Sequence, residues 1–406
     1  MIKSRRIALA LAALQLAACA AAVPTTPVVP VAPETPVTPE VLSEAAIPAP
    51  TKVVAAEPQT QAPSVPDKSA MRISIAAVGD MMLGTDYPQN RLPDDDGVGF
   101  LADVTATLSD ADLAIGNVEG VLMDGGEPAK QCSNASACYL FRSPTRYAEH
   151  YLRAGFDVLS LANNHARDFG EEGRRSSMRA LADFGMASSG REGSWASVES
   201  SGFRVAVLAF AVTQGSNLLH DYELAFASVA EHASTHDIVV VTFHGGAEGA
   251  GAERIPFAEE EYYGEPRGDV VWFARGAVDA GADLVVGHGP HVARGMELYE
   301  GRLIAYSLGN FATYYGISVT GMKGIAPILT ATMNGNGEFV GGQIVSTIQL
   351  RPKGPTIDPQ QRALSLVRRL SLLDFGSPGI HFGANGSLRP IERTPFQRHE
   401  LVVTPN

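Results

Sequence analysis

Five short polar clusters in this chain each follow an apolar run, and their side chains are of the types that hold a divalent cation and move a proton. The densest is Asn163-Asn164-His165, which follows Asp157-Val158-Leu159-Ser160-Leu161-Ala162 and is trailed by Asp168 and Gly170. An amide oxygen is a neutral metal ligand, and an adjacent imidazole can donate a proton or bind metal. Gly287-His288-Gly289-Pro290-His291 carries two histidines in a loop fixed by Gly and Pro, so both can converge on one site. His244-Gly245-Gly246-Ala247-Glu248 ends an apolar run in His and leaves room for a ligand. Gly79-Asp80 offers a carboxylate after a strand, and in Gly116-Asn117-Val118-Glu119 the polar pair shares a face of an extended chain. Each cluster alone has a plainer reading: an N-cap or turn for Asp80, an Asx-type turn for the Asn-Asn-His, a strand-edge imidazole for His244. Together they supply carboxylates, amide oxygens and imidazoles, a mix that suits Mn, Fe, Zn or Co better than Mg or Ca alone. Two such ions a few ångströms apart can bind a phosphate, activate a water and stabilise both attacking and leaving oxygens.

Chemistry of this kind needs a scaffold that gathers strand ends, where ligands bind in open α/β sheets. The patterning predicts one. Strands are expected at 72–78, 112–115, 157–161, 203–212, 237–243, 283–286, 296–299, 303–307, 326–333 and 341–350. Helices are expected around Phe100, Val104 and Leu108, then over 147–154, 173–184, 270–280 and 359–372. Strand–helix alternation followed mostly by strands fits α/β with one large sheet or two packed sheets. The asparagine cluster, on this pattern, opens the loop after a buried strand.

The 406 residues can bury a sizeable core, and the formal net charge of -13 argues against nucleic acid as a partner. Lys3, Arg5 and Arg6 precede an apolar run, Ile7 to Ala17, too short to span a bilayer. It ends in Leu16-Ala17-Ala18-Cys19, which resembles the lipobox of bacterial lipoproteins. That resemblance implies cleavage after residue 18 and lipidation of Cys19; an ordinary signal peptide with an incidental Cys19 is the alternative. Ala20 after the cysteine resembles outer-membrane sorting in two-membraned bacteria. Residues 19–69 are rich in Pro, Ala, Val and Thr, and Pro24 to Pro39 recur at every third position, the period of polyproline II. This stretch is expected to be a semi-rigid spacer. A folded domain is expected over 70–350, with 351–406 an extension packed on or beside it. Cys132 and Cys138 are the remaining cysteines. An even pair in an exported chain suggests a disulfide, with free thiols or a metal pair as alternatives.

Taken in order, the blocks around Asp80 (VGDMMLG), Glu119 (ADLAIGNVEG), His165 (GFDVLSLANNHARDFG), His244 (HDIVVVTFHGGAE) and His288 (GADLVVGHGPHV), with Ser307-Leu308-Gly309-Asn310-Phe311 behind them, resemble the capsule-synthesis CapA family of poly-γ-glutamate type. That family is similar in turn to the calcineurin-like metallophosphatases. The resemblance implies an αββα sandwich of two mixed β-sheets flanked by helices. It also implies a divalent metal centre, of two ions, held by Asp80, Asn117, Glu119, Asn164, His244, His288 and His291. His165 then resembles the proton donor, with Asp168 and Glu248 as further residues of the catalytic site. Where metallophosphatases carry a second His two residues after the first Asp, this chain has Met82. Gly245 and Gly289 stand where the CapA pattern often has Trp and His. The pattern therefore leaves open one metal or two of unequal affinity. The implied role is metal-assisted hydrolysis or transfer at a phosphoester or polymer linkage during cell-surface polymer synthesis, among capsule-synthesis proteins. A non-catalytic polymer-binding or scaffolding part, and an amide-bond hydrolase on γ-glutamyl polymers, are the alternatives.

Overall fold

The computed structural model describes residues 68–130 and 138–391. The leader, Cys19 and the Pro-rich spacer lie outside the described residues, as does Cys132; Cys138 is disulfide-bonded. No helix among the described residues is long and apolar enough to cross a membrane.

Alternation along the strands dictates the layering. In the first strand, Arg72–Met82, Ile73, Ile75 and Ala77 face one way and Ala76 and Val78 the other. The first set joins Leu113, Ile115, Val205, Val207, Ile238, Val240, Leu284 and Val286 in one core between two sheets. Ala76 and Val78 instead meet the helices Ala102–Ser109 and Ala148–Ala154, with Ala180 and Leu181 of the helix Gly170–Asp183. On the far side, Val239, Val241, Phe243 and Val285 pack against the helices Tyr222–Ala233 and Val270–Asp279. The result is an αββα sandwich of two mixed sheets, ten-stranded and six-stranded. The central strands of each sheet run parallel; antiparallel strands close both edges of the small sheet and one edge of the large one, whose other edge strand, Ala187–Ser189, is parallel to its neighbour.

The expected strands and helices recur with shifts of a few residues at their ends. Two departures matter for the site. The first strand does not stop before Gly79-Asp80 but runs on to Met82, so Asp80 lies within the ladder. The chain beyond residue 350 is also woven into the large sheet: Pro355–Ile357 and Ser387–Pro390 pair with the strand Phe339–Gln349. Its helix, Arg362–Phe375, adds Leu364, Leu366, Val367 and Leu370 to the core between the sheets.

Gly79 shows how tightly the strand end is built. A Cβ there would stand 1.8 Å from the carbonyl oxygen of Gly309. That same oxygen accepts the Asp80 backbone N–H at 2.8 Å. Gly79→Ala must therefore push Asn310 and its strand off Asp80. Overpacking of this kind costs about 1–3 kcal/mol. The expected outcome is a clear drop in thermal unfolding midpoint. Gly341→Ala, whose Cβ would meet only the Leu388 carbonyl oxygen at 3.5 Å, serves as reference. Equal effects from the two substitutions would contradict the account.

Candidate metal centre

Strand register brings the donors together. In the large sheet Asp80 is paired with Asn117 on one side and Asn310 on the other. In the small sheet the last pair of a parallel ladder is His244 with His288. The C-terminal ends of parallel strands from both sheets thus meet at one place. Asp80, Asn117, Glu119, His244 and His288 are each no more than 2% exposed. One donor atom each of Asp80, Glu119 and His244 lies within 4.8 Å of the other two. Glu119 Oε2 is 3.3 Å from His244 Nε2, and Asp80 Oδ1 is 3.6 Å from His288 Nδ1.

The two carboxylates are held by an amide. Asn117 Nδ2 donates to Asp80 Oδ1 at 2.9 Å and to Glu119 Oε2 at 2.8 Å. Its Oδ1 accepts from Asn163 Nδ2 at 2.9 Å. Expected as a ligand, Asn117 has both ends of its amide occupied within the protein. Asn163 also donates to the Val118 carbonyl at 2.8 Å, and its Oδ1 accepts the backbone N–H of His165 at 3.0 Å. Asn164 is different: its Oδ1 is buried and makes no hydrogen bond.

His165 stands beside this cluster, 7% exposed, with its ring 4.4 Å from that of Phe141. Its Nδ1 meets Asp168 Oδ2 at 2.7 Å. Asp168 is fully buried; the Phe141 backbone N–H donates to its Oδ2 at 2.8 Å, and Lys130 Nζ is 3.2 Å from its Oδ1. With Nδ1 committed to a carboxylate, proton exchange with a substrate falls to Nε2.

The remaining expected residues sit on the other flank. His291 Nδ1 lies 3.0 Å from Asp80 Oδ2 and 2.9 Å from Asn310 Oδ1. Its Nε2 is 3.8 Å from Glu248 Oε2, and Glu248 Oε1 is 3.0 Å from Arg267 Nη2. Asn310, Lys130 and Arg267 had no role in the sequence reading. Asn310 falls within Ser307-Leu308-Gly309-Asn310-Phe311, but nothing in one dimension says that it lies beside Asp80. Met82, the position where a His is wanting, is buried among Phe141 and Ile317.

Electrostatics follow from burial and from these pairings. Burial pushes the Glu119 carboxyl up, but the charge and hydrogen bond of His244, with His291 and His165 behind it, bring it below the usual range. Burial holds the His288 imidazole down to about 4, against the pull of Asp80. Burial also opposes the charged form of His291, yet the hydrogen bond and charge of Asp80, with Glu119 and Glu248, raise it to about 9.

Glu119 Oε1, both ring nitrogens of His244, His288 Nδ1 and Asn164 Oδ1 are buried without a hydrogen bond. Each such atom costs about 1–3 kcal/mol. Hydrogen bonding among these groups does not satisfy them, whereas a divalent cation accepts lone pairs from carboxylate, amide and imidazole together. The donor set therefore fits a metal.

Residues 74–315 match the family described as Bacterial capsule synthesis protein PGA_cap. The chain is similar to the capsule biosynthesis protein CapA of Bacillus anthracis, at 28% identity over 262 residues, 59% of each chain. It is similar to the PGA biosynthesis protein CapA of Bacillus subtilis, at 28% identity over 237 residues, 49% of this chain and 58% of that one. The chain thus spans less than two thirds of the length of these relatives. A 5'-nucleotidase precursor from Thermus thermophilus overlaps 74% of this chain and 58% of its own, with 17% identity and a TM-score of 0.37; likeness of that degree carries no inference about fold or activity. The PGA_cap match covers more than half of the sequence, and the chain belongs to this bacterial capsule synthesis family.

Proposed function

We propose that this CapA-type protein is an exported, lipid-anchored, metal-dependent hydrolase or transferase acting on a phosphoester or related linkage during cell-surface polymer synthesis. The observation that carries the reading is the convergence of buried, unpartnered donors from Glu119, Asn164, His244 and His288 beside the His165–Asp168 pair. Export and anchoring rest on the basic leader and Cys19, and the polymer context on the family. Asp80, Glu119, Asn164, His244, His288 and His291 would hold the metal. When bound, a divalent cation there supplies Lewis acidity to a substrate oxygen and lowers the pKa of a water.

The chain's own residues do the rest. Asn117 keeps the two carboxylates at a fixed separation, and Asn163 fixes Asn117 and the His165 backbone together. Asp168 holds the Nδ1 proton of His165, so Nε2 delivers a proton to the departing oxygen. Lys130 and the Phe141 N–H keep Asp168 in place.

Two outcomes test this. The purified chain should carry divalent metal by elemental analysis and hydrolyse a chromogenic phosphodiester with added Mn, while His244→Ala should lose both. Wild-type protein free of metal after Mn loading would sink the reading. For His165→Asn, metal content should stay unchanged while kcat falls by about 10²–10⁴-fold on a substrate with a poor leaving group. With p-nitrophenolate as leaving group, which needs no protonation, the loss should be much smaller. Equal losses on both substrates would remove His165 as the acid.

A further inference from the structure

Four arginines surround a single carboxylate at the end of the sandwich that carries the metal centre. Glu171 Oε2 accepts from Arg174 Nη2 at 2.6 Å and lies 4.0 Å from Arg167 Nε. Its Oε1 accepts from Arg191 Nε at 2.7 Å and lies 3.5 Å from Arg175 Nε. One guanidinium is enough to neutralise Glu171, and Arg174 is placed to do it. Its side chain is 3% exposed, and its Nη1 donates to the Gly215 carbonyl at 2.6 Å. The side chains of Arg167, Arg175 and Arg191 are 42%, 59% and 40% exposed. Arg175 and Arg191 meet Glu171 through Nε, and among the described residues their terminal nitrogens have no partner. Glu172 and Glu192, next to the cluster in sequence, form no ion pair with it among the described residues.

The cluster therefore holds more positive charge than the fold requires, in a chain of net charge -13. Burial alone would push the Glu171 carboxyl up, yet the hydrogen bonds and charges of Arg191 and Arg174 bring it down to about 2. It is fully ionised at neutral pH and still offsets only one of the four cations. Exposed ion pairs contribute little to stability, so holding the fold does not account for three further guanidiniums that repel one another.

Strand register sets this charge beside the metal centre. Ser189, Ser160, Asn117 and Asp80 are paired in turn across four neighbouring strands of the large sheet. Ala211, His244 and His288 are paired across three strands of the small one. Arg167 follows Ser160, Arg191 follows Ser189, and Gly215 follows Ala211, so the three loops leave the same end of the sandwich as the metal donors. Arg167 is two residues beyond His165, which puts their Cα atoms no more than ~7.6 Å apart. Backbone groups fix the approach: Arg167 Nη1 donates to the Gln214 carbonyl at 3.1 Å, and Arg191 is bridged to Ser216.

We propose that the open forks of Arg175 and Arg191, with Arg167, bind a second phosphate group of the substrate, carried apart from the linkage that the metal centre cleaves. This rests on the phosphoester reading above. A guanidinium fork matches two oxygens of a phosphate at once. A terminal phosphate carries about 1.5 to 2 negative charges at neutral pH, which suits three unneutralised cations better than the single charge of a carboxylate. The substrate then has at least two phosphoryl groups, one at His165 and one at the arginines.

Calorimetric titration of the intact chain with inorganic phosphate tests the site without relying on turnover. His244→Ala should bind one phosphate, and adding Arg175→Gln and Arg191→Gln should weaken that binding by about 10-fold or more. Both substitutions leave the buried Arg174–Glu171 pair intact, so the fold is retained. In turnover, a phosphodiester bearing a terminal phosphate on a flexible arm should show KM raised about 10-fold by the two arginine substitutions. The same diester without that phosphate should keep its KM and kcat. Phosphate binding unchanged by the arginine substitutions would overturn the site. A glutamate oligomer that displaces phosphate at an equal concentration of anionic groups would overturn the choice of phosphate. A wild-type chain without metal or turnover would sink the hydrolase reading, whereas loss of phosphate binding in the arginine variant would still establish the arginine site.

Discussion

The Asn117 side chain is the constraint on which the centre depends. Two carboxylates, Asp80 and Glu119, are buried side by side, and like charges in a low-dielectric interior repel strongly. A single amide nitrogen bridges them, while its oxygen is fixed by Asn163. Asn163 in turn holds the backbone of His165. The His165 backbone is thus tied through two amides to the carboxylates. A displacement at either end is transmitted through bonds of ordinary hydrogen-bond length rather than absorbed by a flexible side chain. Aspartate at 117 would add a third carboxylate where a donor is required, which explains why an amide suits this position.

The sandwich makes such a centre possible because its two sheets contribute different chemistry. The large sheet brings carboxylates and amides: Asp80, Asn117, Glu119, Asn163, Asn164 and Asn310. The small sheet and the loop after it bring imidazoles: His244, His288 and His291. Inner faces pack on apolar side chains, and the buried carboxylates, amides and imidazoles of the centre collect where the parallel strands end. Close backbone approach at Gly79 and at Gly287, whose Cβ would stand 2.2 Å from the Tyr306 carbonyl oxygen, lets the strand that follows lie alongside without a side chain between them.

Much of this was legible in the sequence, and the reasons are physical. Strands such as Ile238–His244 are continuous apolar runs because parallel strands are buried on both faces, and a polar residue at their end stands out. The helix Tyr222–Ala233 was not foreseen because its apolar residues do not form one stripe: Leu224 is 66% exposed while Val229 is fully buried. The strands Ala187–Ser189 and Ala196–Ser200 have mostly small and polar residues and pair at sheet edges, so composition hides them. In the site, residues whose neighbours are sequential were readable, as with Asn164, His165 and Asp168. Asn310 was not, because its relation to Asp80 exists only through parallel pairing of strands far apart in the chain. Lys130 escaped for the same reason, since its position depends on Asp168, whose carbonyl accepts the N–H of Ala129 at 2.9 Å and of Lys130 at 3.1 Å.

Placing the centre across the two sheets has an energetic consequence. A cation ligated by Glu119 on one side and by His244 and His288 on the other spans the interface that the hydrophobic core closes. The unfolded chain cannot present donors this far apart in sequence at such spacing, so binding free energy appears as folding free energy. Removing the ion leaves buried carboxylates facing one another with only imidazoles and one amide to offset them. The apo protein must then either charge its histidines or let the sheets part at that end. Burial disfavours a charged His288, whereas His291 is held charged by Asp80. The imidazole that stays neutral at His288 is already in the ligand state, and the one at His291 compensates Asp80 until metal replaces its proton. A metal held by these side chains would have to displace the His291 proton, so its loading would depend on the acidity around the site.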